Sequence, residues 1–192
     1  MGKKLSRRFY SRATLKVARE LLGKYLVLKR DGKLLSGKIV ETEAYIGQGD
    51  KASHASKGKT KRNEVMFGPP GYAYVYFTYG MYHCLNFVTE REGYPAAVLI
   101  RALEPKNGIE IMKKNRKTDV IENLTSGPGK VCMALGLDRK ANGADLCSNS
   151  FYVEDVNEKK EKIVRASRVG VNSGKDRLWR FYIKDNKFVS KL

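Results

Sequence analysis

Residues 96–103 read AAVLIRAL, an almost unbroken apolar run interrupted by a single arginine. The run is too short for a membrane span and too apolar for a solvated face. It is therefore expected to form a central strand buried on both sides of a sheet. Arg101 inside such a strand must have a partner, because an isolated buried charge is prohibitively costly. The pattern alone leaves two uses open, a structural salt bridge or a role beside an active carboxylate.

Two other segments carry strand periodicity with unusual side chains. Glu41, Glu43 and Tyr45 are spaced by two, so they share one face of a strand, while Thr42 and Ala44 point the other way. Two carboxylates and a phenol form either a solvated face or a pocket in which one carboxylate acts as general base or cation stabiliser. Tyr72, Tyr74 and Tyr76 also share a face, and Tyr79 and Tyr82 follow. Five tyrosines thus fall within eleven residues. They can form the aromatic edge of a sheet core or a stacking surface for bases, where each contact is worth about 1–3 kcal/mol. Tyr79 lies in the tip Tyr79-Gly80-Met81, where a large ring has little protein to pack against. That is the shape of a wedge inserted between base pairs.

The rest of the chain fits around these strands. A helix is expected after Ser11 as N-cap, running through TLKVARELLGK with Gly23 beyond its end. Strands Tyr25–Leu28 and Gly37–Tyr45 flank an Asp31-Gly32 hairpin turn. Residues 47–61 read as a long loop, a kind of segment that is more often functional than idle. The tyrosine-rich hairpin comprises Tyr72–Phe77 and His83–Val88. Helices are expected over Asn107–Lys117 and Val131–Leu135. Late strands are expected at Phe151–Val153, Ile163–Ala166, Leu178–Ile183 and Phe188–Val189. Gly127-Pro128-Gly129-Lys130 opens the second of those helices and is either a helix-initiating turn or a seat for one DNA phosphate. It lacks P-loop spacing. The expected fold is mixed α/β of the α+β type. It is a single domain over residues 1–192, with a mostly antiparallel curved sheet, peripheral helices and a protruding β-hairpin.

Charge narrows the partner. The 38 Lys and Arg against 20 Asp and Glu give a net charge of +18. The excess is in the flanks: 12 basic against 2 acidic residues before residue 41, and 19 against 11 after residue 104. The block between them balances at 7 and 7. A neutral pocket with a basic rim fits a polyanion, although a solubilising surface has the same composition. Three cysteines without a CxxC pair and two histidines far apart argue against a disulfide framework or a metal site. No cofactor and no metal are expected. No signal peptide and no apolar run of spanning length is present, so a cytoplasmic, nucleoid-associated monomer without membrane contact is expected.

In order along the chain, GKIVETEAYIGQGDKASHA, RNEVMFGPPGYAYVYFTYGMYHCLN, VLIRALEP, SGPGKVC and RVGV…LWRFYI closely resemble the alkyladenine (3-methyladenine) DNA glycosylases of the mammalian type. The resemblance implies a monofunctional enzyme. It would excise alkylated and deaminated purines, of the 3-methyladenine, 7-methylguanine and hypoxanthine class, from damaged double-stranded DNA. Glu43 would activate the attacking water, with Arg101 and the backbone carbonyl of Val169 as its partners in holding that water. Tyr45, His54 and Tyr76 would wall the pocket for the flipped base, and Asn86 would screen out normal purines. Tyr79 would fill the vacated stack, with Met81 on the same hairpin, and Lys130 is the candidate phosphate contact. The competing readings are a non-catalytic nucleic-acid-binding module and, third, a metal-dependent nuclease.

Overall fold

The computed structural model describes residues 2–159 and 161–191. Nine strands form one antiparallel, curved and unclosed sheet. In chain order they are β1 (Lys3–Lys4), β2 (Tyr25–Arg30), β3 (Lys33–Ile46), β4 (Ala73–Thr78), β5 (Tyr82–Val88), β6 (Ala96–Asn107), β7 (Phe151–Asp155), β8 (Ile163–Ala166) and β9 (Arg180–Ile183). The main path runs β1-β7-β2-β3-β6-β5-β4, with β9 branching from β3 and β8 pairing with β9. Four α-helices flank it: α1 (Arg7–Tyr10), α2 (Thr14–Glu20), α3 (Ile109–Arg116) and α4 (Pro128–Leu135).

The AAVLIRAL segment lies within β6, paired with β3 on one side and β5 on the other. Strand β3 is long and irregular. Its register against β6 shifts on both sides of Glu41, and there its other neighbour changes from β2 to β9. Bulges of this kind bend a strand and re-aim its side chains. The β2–β3 connection is the two-residue Asp31-Gly32 turn, with φ of 51° and 69°, which suits the twist of a hairpin.

Register assigns the two faces their work. Glu43 pairs with Leu99, Leu99 with Asn86, and Asn86 with Tyr74, so these four form one row across β3, β6, β5 and β4. Arg101 is one pleat along from Leu99, and Cys84 opposite Tyr76 is one pleat along from Asn86. The alternate residues Ala44, Val98, Ile100, Phe87, Leu85, Ala73 and Val75 belong to the main core with Val17, Ala18 and Leu21 of the α2 region. Thr42 on that same face donates its hydroxyl to the Ala18 carbonyl at 2.9 Å. Burying residues such as Ile100 and Phe87 contributes about 1.5–3 kcal/mol each. The apolar face thus anchors the sheet, and the opposite face is free to carry polar groups.

Three expectations change. Ser11 is not the N-cap of α2; it closes α1, and its hydroxyl donates to the Arg8 carbonyl. Helix α2 starts at Thr14, whose amide and hydroxyl both donate to Glu90 Oε1, at 2.7 and 2.8 Å. Phe188–Val189 forms a turn, not a strand, and Phe188 is buried against Val40, Ala102 and Ile183. Tyr72 does not join Tyr74 and Tyr76 in a common aromatic surface. It bridges to Asp145, with the Arg7 guanidinium over its ring.

Candidate active site

The polar face of the sheet opens into a cavity of about 340 Å³, within the range of small-ligand sites. Tyr45, His54, Tyr74, Tyr76, Asn86 and Arg101 line it, and Val169–Ser173 close it from the far side. A larger groove beside α2 shares no residue with it and is lined by both apolar and charged side chains, among them Phe9, Leu22, Arg19 and Glu20.

Glu43 is fully buried immediately behind this wall. Its Oε1 accepts the Val169 amide N–H at 2.7 Å and lies 3.3 Å from Arg101 Nη1, and its Oε2 accepts the Tyr45 hydroxyl at 2.8 Å. The backbone group of Val169 engaged with the carboxylate is therefore its N–H. Glu41, one pleat away, is saturated differently. Its oxygens take Arg101 Nε at 2.9 Å, Arg180 Nη1 at 3.0 Å and the Ser190 amide at 2.7 Å. Two carboxylates and two guanidiniums thus form a buried cluster without formal excess charge. Glu41 is committed to two arginines, and Glu43 retains only one.

The electrostatic consequence is directional. Burial pushes the Glu43 carboxyl upward, while Arg101, the Val169 N–H and the Tyr45 hydroxyl pull it back; the net result lies above the ordinary glutamate value. A carboxylate in that position is a stronger proton acceptor than a surface one. Burial, then the neighbouring Glu43, pushes the Tyr45 phenol up, so it remains a donor. The part of the His54 ring turned into the protein, and then Arg62, lower its proton affinity.

The aromatic walls are pinned to each other. His54 Nδ1 lies 2.9 Å from the Tyr74 hydroxyl, and its ring meets that of Tyr76 edge-on at 4.4 Å. Asn86 Nδ2 donates to the carbonyls of Tyr74 at 3.1 Å and Cys84 at 3.4 Å, which fixes that side chain on the cavity floor. The long loop after β3 supplies His54 at the start of a short 3-10 turn, whose N-cap Ser53 accepts the Ala55 amide.

The hairpin tip stands clear of the body. Tyr79 is 79% exposed and Met81 63%, and the tip turns through positive φ at Tyr79 and Gly80. Tyr79 also borders the cavity, so the exposed ring and the pocket adjoin. Lys130 sits in the first turn of α4, with Nζ 3.2 Å from Ser126 Oγ. It does not line the cavity, but Pro128 of the same turn does.

The structure brings together Glu43, Arg101, Val169, Tyr45, His54, Tyr76 and Asn86, and it sets Tyr79, Met81 and Lys130 around them. Two residues escaped the sequence reading: Asp50 and Arg168, a buried ion pair with contacts of 2.6 and 2.8 Å. Neither has a spacing that would betray it, although Arg168 directly precedes Val169. Among the described residues, no group of three or more His, Cys, Asp or Glu is arranged to hold a metal, and no helix is long and apolar enough to cross a membrane.

Comparison with known proteins gives a consistent answer. Residues 8–187 match the family model described as Methylpurine-DNA glycosylase (MPG). A protein of Methanocella arvoryzae is 57% identical over 192 residues, covering 97% of this chain and 96% of its own. Proteins of Carboxydothermus hydrogenoformans and Alkaliphilus oremlandii are 56% and 51% identical, each covering 97% or more of this chain and 98% or more of their own. All three carry the provisional designation 3-methyladenine DNA glycosylase.

Proposed function

Because the chain belongs to the methylpurine-DNA glycosylase family, whose members are hydrolases of N-glycosyl bonds in damaged DNA, we propose that it flips a damaged purine into the Tyr45–His54–Tyr76 cavity and cleaves it off with a water activated by Glu43. One observation carries the reading. A single buried carboxylate with a raised proton affinity lies directly behind an aromatic wall, held by a phenol, an amide and one guanidinium.

The chemistry follows from that arrangement. A base inside a duplex cannot reach a buried pocket, so the nucleotide rotates out, at a cost of a few kcal/mol that is smallest for damaged or mispaired bases. The basic flanks supply salt-dependent affinity that offsets this cost, with Lys130 as one phosphate contact. Tyr79, aided by Met81, occupies the gap in the stack. Cleavage of the glycosidic bond builds positive charge on the sugar, as in glycoside hydrolysis. Ionised Glu43 stabilises that charge and accepts the proton of the attacking water, and Arg101 fixes the carboxylate's orientation. The Val169 backbone serves as the second partner.

Specificity is divided between the walls and the floor. Cationic alkylpurines are good leaving groups and stack well on electron-rich phenols. Neutral hypoxanthine needs additional hydrogen bonds. Asn86, rigid on the floor, crowds a 2-amino group and so rejects ordinary guanine. We take residues 1–192 as one catalytic unit acting as a monomer, without metal or cofactor.

The reading is tested with a duplex carrying one hypoxanthine. Strand cleavage only after hot alkali is the expected result; cleavage without alkali would instead mean a nuclease or lyase. Lys51 is the lysine that lines the cavity, and its side chain is exposed. Borohydride is expected to trap no covalent DNA complex, as befits a monofunctional enzyme.

A further inference from the structure

We propose that the Asp50–Arg168 pair is a positioning element, one that sets Tyr45 and the Val169 N–H on Glu43 and joins the two stretches of chain that close the cavity. The inference rests on the proposed role of Glu43 as the catalytic carboxylate.

Asp50 is fully buried in the loop after β3, and Arg168 is 4% exposed. The pair is bidentate, with Arg168 Nη1 2.6 Å from Asp50 Oδ2 and Nη2 2.8 Å from Oδ1. This fork–fork geometry fixes orientation as well as distance. Each partner then reaches into the site. Asp50 also accepts the amides of Ile46 at 3.3 Å and Ala52 at 3.2 Å, which shapes the loop that delivers His54. Arg168 Nη1 donates to the Ala44 carbonyl at 3.0 Å, the backbone between Glu43 and Tyr45. The guanidinium stacks over the Tyr45 ring at 4.7 Å from the centroid and over Trp179 at 5.2 Å.

Both ends of the pair therefore root a wall of the cavity. Lys51, Ala52 and His54 follow Asp50, and Val169–Ser173 follow Arg168. Tyr45 lines the cavity and Arg168 does not, so the cation supports the ring from outside the ligand space. Val169, whose N–H donates to Glu43 at 2.7 Å, is the next residue in the chain. A displacement of Arg168 would move two of the three donors on Glu43 together.

Lysine cannot reproduce the fork, and asparagine at 50 cannot hold the charge. The test uses Arg168→Lys, Asp50→Asn and Glu43→Gln in the full chain, with a hypoxanthine duplex under single-turnover conditions. The lysine and asparagine variants are expected to fold but to excise on the order of 100-fold more slowly, the scale of a catalytic group misplaced by about 1 Å. The acid limb of the Arg168→Lys pH–rate profile should also move to higher pH. Glu43 faces Arg101 from β6, Cys84 from β5, Arg168 from the segment after β8, and Glu41 and Tyr45 on its own strand. Arg101, Cys84 and Glu41 are unchanged in both variants and Arg168→Lys keeps its charge, so the limb of that variant reports the loosened Tyr45 and Val169 donors. Asp50→Asn also removes a negative charge at 50, which on its own would move the limb the other way. A merely structural pair would lower the melting temperature and leave the limb in place. Wild-type rates with an unmoved limb, or a rate loss that only follows loss of fold, overturn the proposal while Glu43→Gln stays inactive. An active Glu43→Gln overturns the catalytic reading itself, and the positioning role with it.

Discussion

The Tyr45 hydroxyl donates to Glu43 Oε2 at 2.8 Å, so the ring that walls the cavity and the carboxylate behind it move as one unit. Both sit on β3 two residues apart, on the face that β-pleating turns away from the main core.

Tyr45→Phe separates the two functions of that residue. The ring and its stacking surface remain, while a hydrogen bond to a charged group, worth about 1.5–3 kcal/mol, is lost. The hydroxyl favours the ionised carboxylate, so its removal raises the Glu43 pKa further above its ordinary value. The acid limb of the pH–rate profile is therefore expected to move upward, with excision at pH 7 reduced by about tenfold and partly recovered at higher pH. Single-turnover excision across a pH series measures both effects. A profile that superimposes on wild type would mean that the hydroxyl does not tune the base.

Glu41 and Glu43 should differ in stability even though they are one pleat apart. The Glu43 pKa is raised on folding, so the native state holds that proton more tightly than the unfolded chain. Its contribution favours folding at low pH and turns against it as pH rises past the ordinary value of 4.5. Glu43→Gln removes that cost but also takes one countercharge from buried Arg101, so at pH 7 it should lose less stability than Glu41→Gln. Glu41→Gln instead leaves Arg101 and Arg180 short of a buried countercharge and should lose about 3–5 kcal/mol. Urea unfolding of the two variants at pH 7 and pH 5 decides the matter. Equal losses would mean that both glutamates are structural.

Most of the sheet was legible because strand periodicity is local, whereas the roles proposed for His54, Asn86 and Val169 came from the family resemblance and not from spacing. The spacing of Glu41, Glu43 and Tyr45 announced a shared face, and the apolar run around Arg101 required a buried counterion. What escaped depended on contacts distant in sequence. Helix α2 is capped by Glu90, 76 residues away, so no reading of Ser11 could have located its start. Tyr72 left the aromatic surface because Asp145 and Arg7 claim it. Asp50 and Arg168 lie 118 residues apart in loops without periodicity, and only the folded chain brings them together. Phe188 looked like a strand because an apolar residue buried beside a turn has the same local signature.

Lys130 provides a test of the DNA path outside the pocket. Its amine rests 3.2 Å from Ser126 Oγ and 3.5 Å from Asn123 Oδ1 at the start of α4. Burial, then Arg116, lowers its proton affinity, and a phosphate beside it would favour the charged amine. Lys130→Ala is expected to weaken binding to intact and damaged duplex alike. It should reduce the slope of log affinity against log salt by about 0.9, the value for one phosphate contact. Excision at saturating enzyme should be unchanged. Titration at three salt concentrations gives the slope, and an unaltered slope would remove Lys130 from the interface.

Tyr79 carries the sharpest separation between folding and function. At 79% exposure the ring contributes almost nothing to the core, and its positive φ of 51° makes the tip no more comfortable for tyrosine than for serine. Tyr79→Ser should therefore melt within about 0.5 kcal/mol of wild type, as surface substitutions do. A wedge works by filling the gap that a rotated nucleotide leaves in the stack, and serine is too short to span it. Loss of that contact removes about 1–3 kcal/mol of stacking from the flipped complex only. The preference for lesion-containing over intact duplex should shrink by about 5- to 150-fold, while binding to intact DNA, governed by phosphates, stays constant. Competition binding with matched duplexes measures the ratio. A variant that keeps the wild-type preference would show that another exposed residue of the hairpin, Met81 or Phe77, holds the stack open.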